Sequence, residues 1–174
     1  VDNHNLTDLS GLEFITTIGG RLEVARNIGL NDVEDLESVV SVGGDFILSE
    51  NSLVKEVDNL KQLASVGGSI EIHNNNTLKD LNGLDGITLL NGSLSISGND
   101  KLICIYGMRH LTHIAQDLVV TNNPDLSWCE VEIIVEALAA ADGVGGEIIR
   151  GGNMEMDDCE AANYHAEDGE ESSL

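Results

Sequence analysis

Asp8, Asp32, Glu56 and Asp80 stand 24 residues apart, and Glu34 and Asp58 follow two places behind two of them. Carboxylate oxygens are the ligands that calcium takes. Stacked about 5 Å apart, they repel unless water or a cation comes between them. The file therefore reads either as a solvated acidic face or as a set of Ca2+ bridges. The alternating acidic spacing of a calcium-binding nonapeptide repeat is absent, so no metal ligand set is assigned and no cofactor is called for. Further along the same file Cys104, Tyr106 and Trp128 replace the acids, with Ile103 beside them. Exposed aromatics of this kind anchor partners; the competing reading packs them under a covering helix. His110 and His113 have an i, i+3 spacing but no third ligand nearby. No nucleophile–base pair or phosphate loop occurs, which points away from an enzyme.

These side chains must be carried by a repeated element. Asn3, Asn27, Asn51, Asn75, Asn99 and Asn123 recur every 24 residues, and Asn153 follows after 30. Such a period implies a stack of equivalent coils. With Asn as position 9, coils begin at Gly19, Gly43, Gly67, Asn91, Ala115 and Gly145. Positions 4 and 6 are apolar (Leu22 and Val24, Phe46 and Leu48, Ile70 and Ile72), which is the period-two pattern of a short strand. Positions 12, 15, 18, 21 and 24 are apolar too, as in Val54, Val57, Leu60, Leu63 and Val66. Stacking would bury these rows as ladders that no single coil could bury alone. The Asn row is expected to be structural, each side chain bonding a corner backbone.

The fifth coil carries six extra residues, since 30 minus 24 is 6. Ser127 and Glu130 have capping-box spacing, and Val131, Ile134, Val135 and Leu138 form a helical stripe. A capping helix of about three turns is expected there. Cys129 and Cys159 both fall at position 15, in adjacent coils. Equivalent positions lie about 4.8 Å apart in a ladder, within disulfide reach. A Cys129–Cys159 disulfide is expected, with two reduced thiols as the alternative. Cys104, at position 14, is expected to face outward as a free or intermolecular thiol.

The segments Gly-Gly-Arg-Leu-Glu-Val (19–24), Gly-Gly-Ser-Ile-Glu-Ile-His-Asn-Asn (67–75) and Leu-Lys-Asp-Leu-Asn-Gly-Leu (78–84) resemble receptor L-domains. These are leucine-rich-repeat-like right-handed β-helices of extracellular surface proteins. The resemblance covers about residues 3–160. It implies a mainly-β, right-handed β-solenoid of 24-residue coils with a C-terminal capping helix, spanning residues 1–159. It implies extracellular recognition and supplies no catalytic residues. Residues 160–174 are expected to form an acidic tail or linker.

The formal net charge is −23, from 31 acidic and 8 basic residues. That balance argues against nucleic acid, whose phosphates need Lys and Arg, and against anionic membranes. No apolar run is long enough to span a bilayer. The chain begins with Val and without a signal peptide, so it reads as a processed product or an excised fragment. Asn5 and Asn91 begin glycosylation sequons; Asn75 does too, but belongs to the inward row. The leading expectation is a non-enzymatic extracellular recognition or adhesion module, secreted and cell-surface, with a protein or glycan partner. The alternative is a subunit of an extracellular filament or surface layer. It would assemble through an open edge at Arg21, Leu22, Glu23 and Val24. A Ca2+-dependent polysaccharide-active β-helix is the minor alternative; it wants a basic residue beside the acids. None of Arg21, Arg26, Arg109 and Arg150 holds a neighbouring position.

Overall fold

Each repeat makes one two-residue strand, a corner, and one four-residue strand. In chain order these are β1 (Thr17–Ile18) and β2 (Leu22–Ala25), β3 (Ser41–Val42) and β4 (Phe46–Ser49), β5 (Ser65–Val66) and β6 (Ile70–His73). They continue as β7 (Leu89–Leu90) and β8 (Leu94–Ser97), β9 (His113–Ile114) and β10 (Leu118–Thr121), β11 (Gly143–Val144) and β12 (Ile148–Gly151). The computed structural model describes residues 1–155; Cys159 and the expected tail 160–174 lie outside the described residues.

The long strands form one six-stranded parallel sheet in the order β12-β10-β8-β6-β4-β2. Its register is 24 residues per step, with Phe46 opposite Ile70 and Ile70 opposite Leu94. The last step is 30, with Leu118 opposite Ile148, because helix α1 (Trp128–Ala139) is inserted there. The short strands form two further parallel sheets, β1-β3-β5 and β7-β9-β11. The gap between them falls where the position-1 glycines Gly19, Gly43 and Gly67 give way to Asn91. A Cβ built on Gly67 would press on the Gly43 carbonyl, so this corner packs most closely with glycine.

The opposite side of each repeat is not a strand. In the four repeats that begin at Gly19, Gly43, Gly67 and Asn91 it is a 3-10 turn: Glu34–Leu36, Asp58–Leu60, Asn82–Leu84 and Tyr106–Met108. The reason lies in the spacing of Val57, Leu60 and Leu63, all fully buried. Apolar residues three apart match three residues per turn, not the two of a strand.

The expected mainly-β right-handed β-solenoid is therefore corrected. About 26% of the described residues are in strands and 15% in helices. The strands lie in three separate parallel sheets that do not close on one another, and helical turns and α1 complete the fold, which is α/β-like. Alternation at positions 4 to 6 predicts β structure for one side of the repeat only; the period-three rows carry the rest into helical geometry.

A single core runs between these sides, from Val24 through Leu48, Ile72 and Ile96 to Val120 and the helix residues Val131, Ile134 and Leu138. Burying such side chains is worth about 1.5–3 kcal/mol each. Helix α1 holds Val131, Ile134 and Leu138 against the core, as its stripe predicts. Its cap differs from expectation. The Ser127 side chain accepts the Cys129 N–H, but Glu130 does not close a capping box; it turns into the core side.

Candidate functional site

The conserved geometry of one repeat explains most of the polar residues before any site is considered. Each Asn of the 24-residue row has its Oδ1 accepting the backbone N–H of the Asn one repeat earlier, at 3.0–3.1 Å from Asn27 to Asn153. The Nδ2 of Asn51, Asn75, Asn99, Asn123 and Asn153 donates to a strand carbonyl of the preceding repeat: Val24, Leu48, Ile72, Ile96 and Val120. The column is a second hydrogen-bond ladder at a corner that strands do not serve. Asn75, and with it one sequon, is fully buried; Asn5 and Asn91 are exposed.

Position 8, just before the Asn, is left-handed in every repeat: Asp2, Arg26, Glu50, Asn74, Gly98, Asn122 and Gly152 have φ between 55° and 68°. Sequence reasoning missed this row. Its Asn and Gly members were the available signal, since both tolerate that backbone region.

The acidic file has a local structural role. Asp8 Oδ1 accepts the Ser10 N–H, Asp32 Oδ1 the Glu34 N–H and Asp80 Oδ1 the Asn82 N–H, at 3.1–3.2 Å. Each is a carboxylate bonded to the backbone two residues on; after Asp32 and Asp80 a 3-10 turn follows, Glu34–Leu36 and Asn82–Leu84. For Asp8, the hydrogen bonds from Ser10 and Thr7 hold the carboxyl below its ordinary range. No group of three or more His, Cys, Asp or Glu residues is arranged to hold a metal among the described residues.

Cys104 stands in the same place and does the same work. Its Sγ accepts the Tyr106 N–H at 3.5 Å. The expectation that it faces outward is corrected: it is a free cysteine, 9% exposed. Glu130 is the cause. Helix α1 covers this repeat and sends the buried Glu130 carboxylate to the Ile105 N–H at 3.2 Å. Burial, with the Glu130 and Asp80 carboxylates nearby, pushes the thiol up to about 11. Cys104 is thus removed from the set of partner-binding candidates. Cys129 is buried at the start of α1 and is disulfide-bonded; Cys159 lies outside the described residues.

Tyr106 is exposed and Trp128 half-buried, and each carries a cation over its ring. The Arg109 guanidinium lies 3.9 Å from the Tyr106 ring centroid, and the Arg150 guanidinium 4.5 Å from the Trp128 ring centroid. Arg150 is also paired with Glu132. Arg109 donates to the Tyr106 carbonyl at 3.1 Å. Tyr106 is 36% exposed and Ile103 49%. An exposed apolar, aromatic and cationic group therefore sits at the end of an otherwise acidic file. His110 Nδ1 meets the Asp85 carbonyl at 3.0 Å, and His113 sits in β9, so the two histidines do not converge.

At the other end of the sheet, β2 is the terminal strand. Arg21 and Glu23 pair with each other across it at 2.6 Å, Leu22 is half-buried and Val24 buried. Leu9, Leu12 and Ile18 lie beside this end, partly buried against the core. No helix among the described residues is long and apolar enough to cross a membrane. No family model, no curated protein and no solved structure matches this chain.

Proposed function

We propose that the chain is a non-catalytic recognition module of an extracellular surface protein, and that Tyr106, Arg109 and Ile103 are the centre of its contact surface. The observation that carries this reading is the Tyr106–Arg109 stack, exposed beside Ile103 on a chain of net charge −23. A ring under a guanidinium is a rigid, partly desolvated anchor, the kind of residue that dominates contact energies. The disulfide-bonded Cys129 supports an oxidising compartment. The partner is a protein or glycan of the cell surface. The test is retention of the purified chain on an immobilised panel of glycans and matrix proteins. One class should retain it, and Tyr106→Ser should lose that retention at least tenfold with an unchanged melting temperature. Equal retention of the variant, or none of the parent chain, defeats the reading. The Tyr106 side chain can be removed safely because its turn is held through its backbone N–H.

A second reading, self-assembly through the β2 edge, is favoured by one observation: among the described residues β2 has a strand partner on one side only, β4. Light scattering separates the two. A particle near 18.5 kDa supports the recognition module; a larger particle that dissociates when Leu22 is replaced by Lys supports assembly.

A further inference from the structure

Asp58 and Asp80 face each other across two repeats, and the arrangement lacks a hydrogen. Asp58 Oδ1 is buried with no hydrogen-bond partner among the described residues. A buried carboxylate oxygen without a donor is costly, and each such atom asks for an explanation. The Asp80 side chain lies within hydrogen-bonding reach of Asp58.

The next repeat shows how the same slot is satisfied. Cys104 is the ladder partner of Asp80. Its Sγ accepts the N–H two residues on and also points its own hydrogen at Asn82 Oδ1, 3.9 Å away in the preceding repeat. Asn82 is the residue equivalent to Asp58, 24 positions on. Asp80 likewise accepts the N–H two residues on, from Asn82. To complete the equivalence it must donate to Asp58, and a carboxyl donates only when protonated.

We propose that Asp58 and Asp80 hold one proton between them, Asp80 donating to Asp58 Oδ1, as a pH-sensitive joint between neighbouring repeats. The surrounding charges are few. Lys79 precedes Asp80 and is exposed, the exposed Glu56 stands one repeat earlier in the same row, Cys104 lies on the far side, and Glu130 lies beyond Cys104. Burial, followed by the neighbouring Asp58, holds the Asp80 carboxyl above its ordinary range against the Asn82 N–H and Lys79. A folded chain that binds a proton more tightly than the unfolded chain gains stability at acidic pH. It loses that gain as pH rises through the raised folded value. Loss of the proton leaves two like charges side by side, and the contact opens.

The experiment is a carboxyl-carbon NMR titration of the folded chain together with thermal melts of Asp80→Asn. An amide keeps the oxygen acceptor and supplies the N–H donor at every pH. One carboxyl of the pair should titrate above the ordinary aspartate range. Asp80→Asn should melt higher than the parent by about 2–4 °C at neutral pH and show no such gain at mildly acidic pH. Asp58→Asn should lower the Asp80 titration toward the ordinary range, with burial still holding it somewhat above, which keeps the test readable if Asp80→Asn folds poorly. Ordinary titration of both carboxyls in the parent chain overturns the proposal. So does a parent melting temperature that rises with added Ca2+ and falls with chelator, because a cation would then satisfy the orphaned oxygen.

Discussion

The backbone N–H of Asn75 donates to the side-chain Oδ1 of Asn99 at 3.0 Å, one repeat away, in a site with no solvent exposure at either residue. Asn99 also gives its Nδ2 to the Ile72 carbonyl at 3.0 Å. One side chain therefore satisfies two buried backbone groups. Replacing Asn99 with Leu should cost on the order of 2–5 kcal/mol, since each orphaned group costs about 1–3. Urea unfolding checks this, and a loss below about 1 kcal/mol would mean that water replaces the side chain. The same substitution at exposed Asn5 should cost nothing measurable.

Glu50 holds a φ of 56° at the left-handed corner. Its side chain contributes only a distant pairing with Arg26, 3.8 Å away. An L-residue there carries roughly 1 kcal/mol of strain that glycine avoids. Glu50→Gly should therefore stabilise the chain by up to about 1 kcal/mol, despite the greater backbone freedom of glycine when unfolded. Ala in the same place should not stabilise it. Denaturant midpoints of the two variants decide the matter.

Cys104 should resist thiol reagents in the folded chain. Its thiol is raised from an ordinary value of 9.0 to about 11, so at neutral pH the reactive thiolate is scarcer by on the order of a hundredfold. Labelling rates in buffer and in denaturant measure the difference; comparable rates would place the thiol at the surface after all. Cys104→Asp restores the residue type of Asp8, Asp32 and Asp80, yet it should destabilise. The new carboxylate would meet the buried Glu130. The penalty should shrink in the Glu130→Gln background, where that charge is gone.

Arg109→Ala tests the contact surface without touching the core. It removes the cation over Tyr106 and leaves the 3-10 turn Tyr106–Met108 in place. Binding to whichever panel member retains the parent chain should weaken about fivefold or more, corresponding to about 1 kcal/mol for an exposed cation–π pair. Unchanged binding would place the contact elsewhere.

Much of this chain was legible from its period. Twenty-four residues between asparagines specify which residues pair, down to Phe46 opposite Ile70, because a stack of equal repeats admits one register. The helix stripe Val131, Ile134 and Leu138 was legible for the same reason: an apolar row has one face to bury. The spacing of three in Val57, Leu60 and Leu63 was also on view, but the strand pattern beside it drew the whole repeat toward β structure. What only the tertiary structure decided is where neighbouring repeats meet the inserted helix. Position 14 is a half-exposed acid at Asp80 and a buried thiol at Cys104. The residue types alone do not predict the change, since it depends on Glu130 arriving from a helix 25 residues away in the chain. Burial, and with it the proton affinity of a side chain, is set by what lies on top of it, and that is a property of the assembled layers.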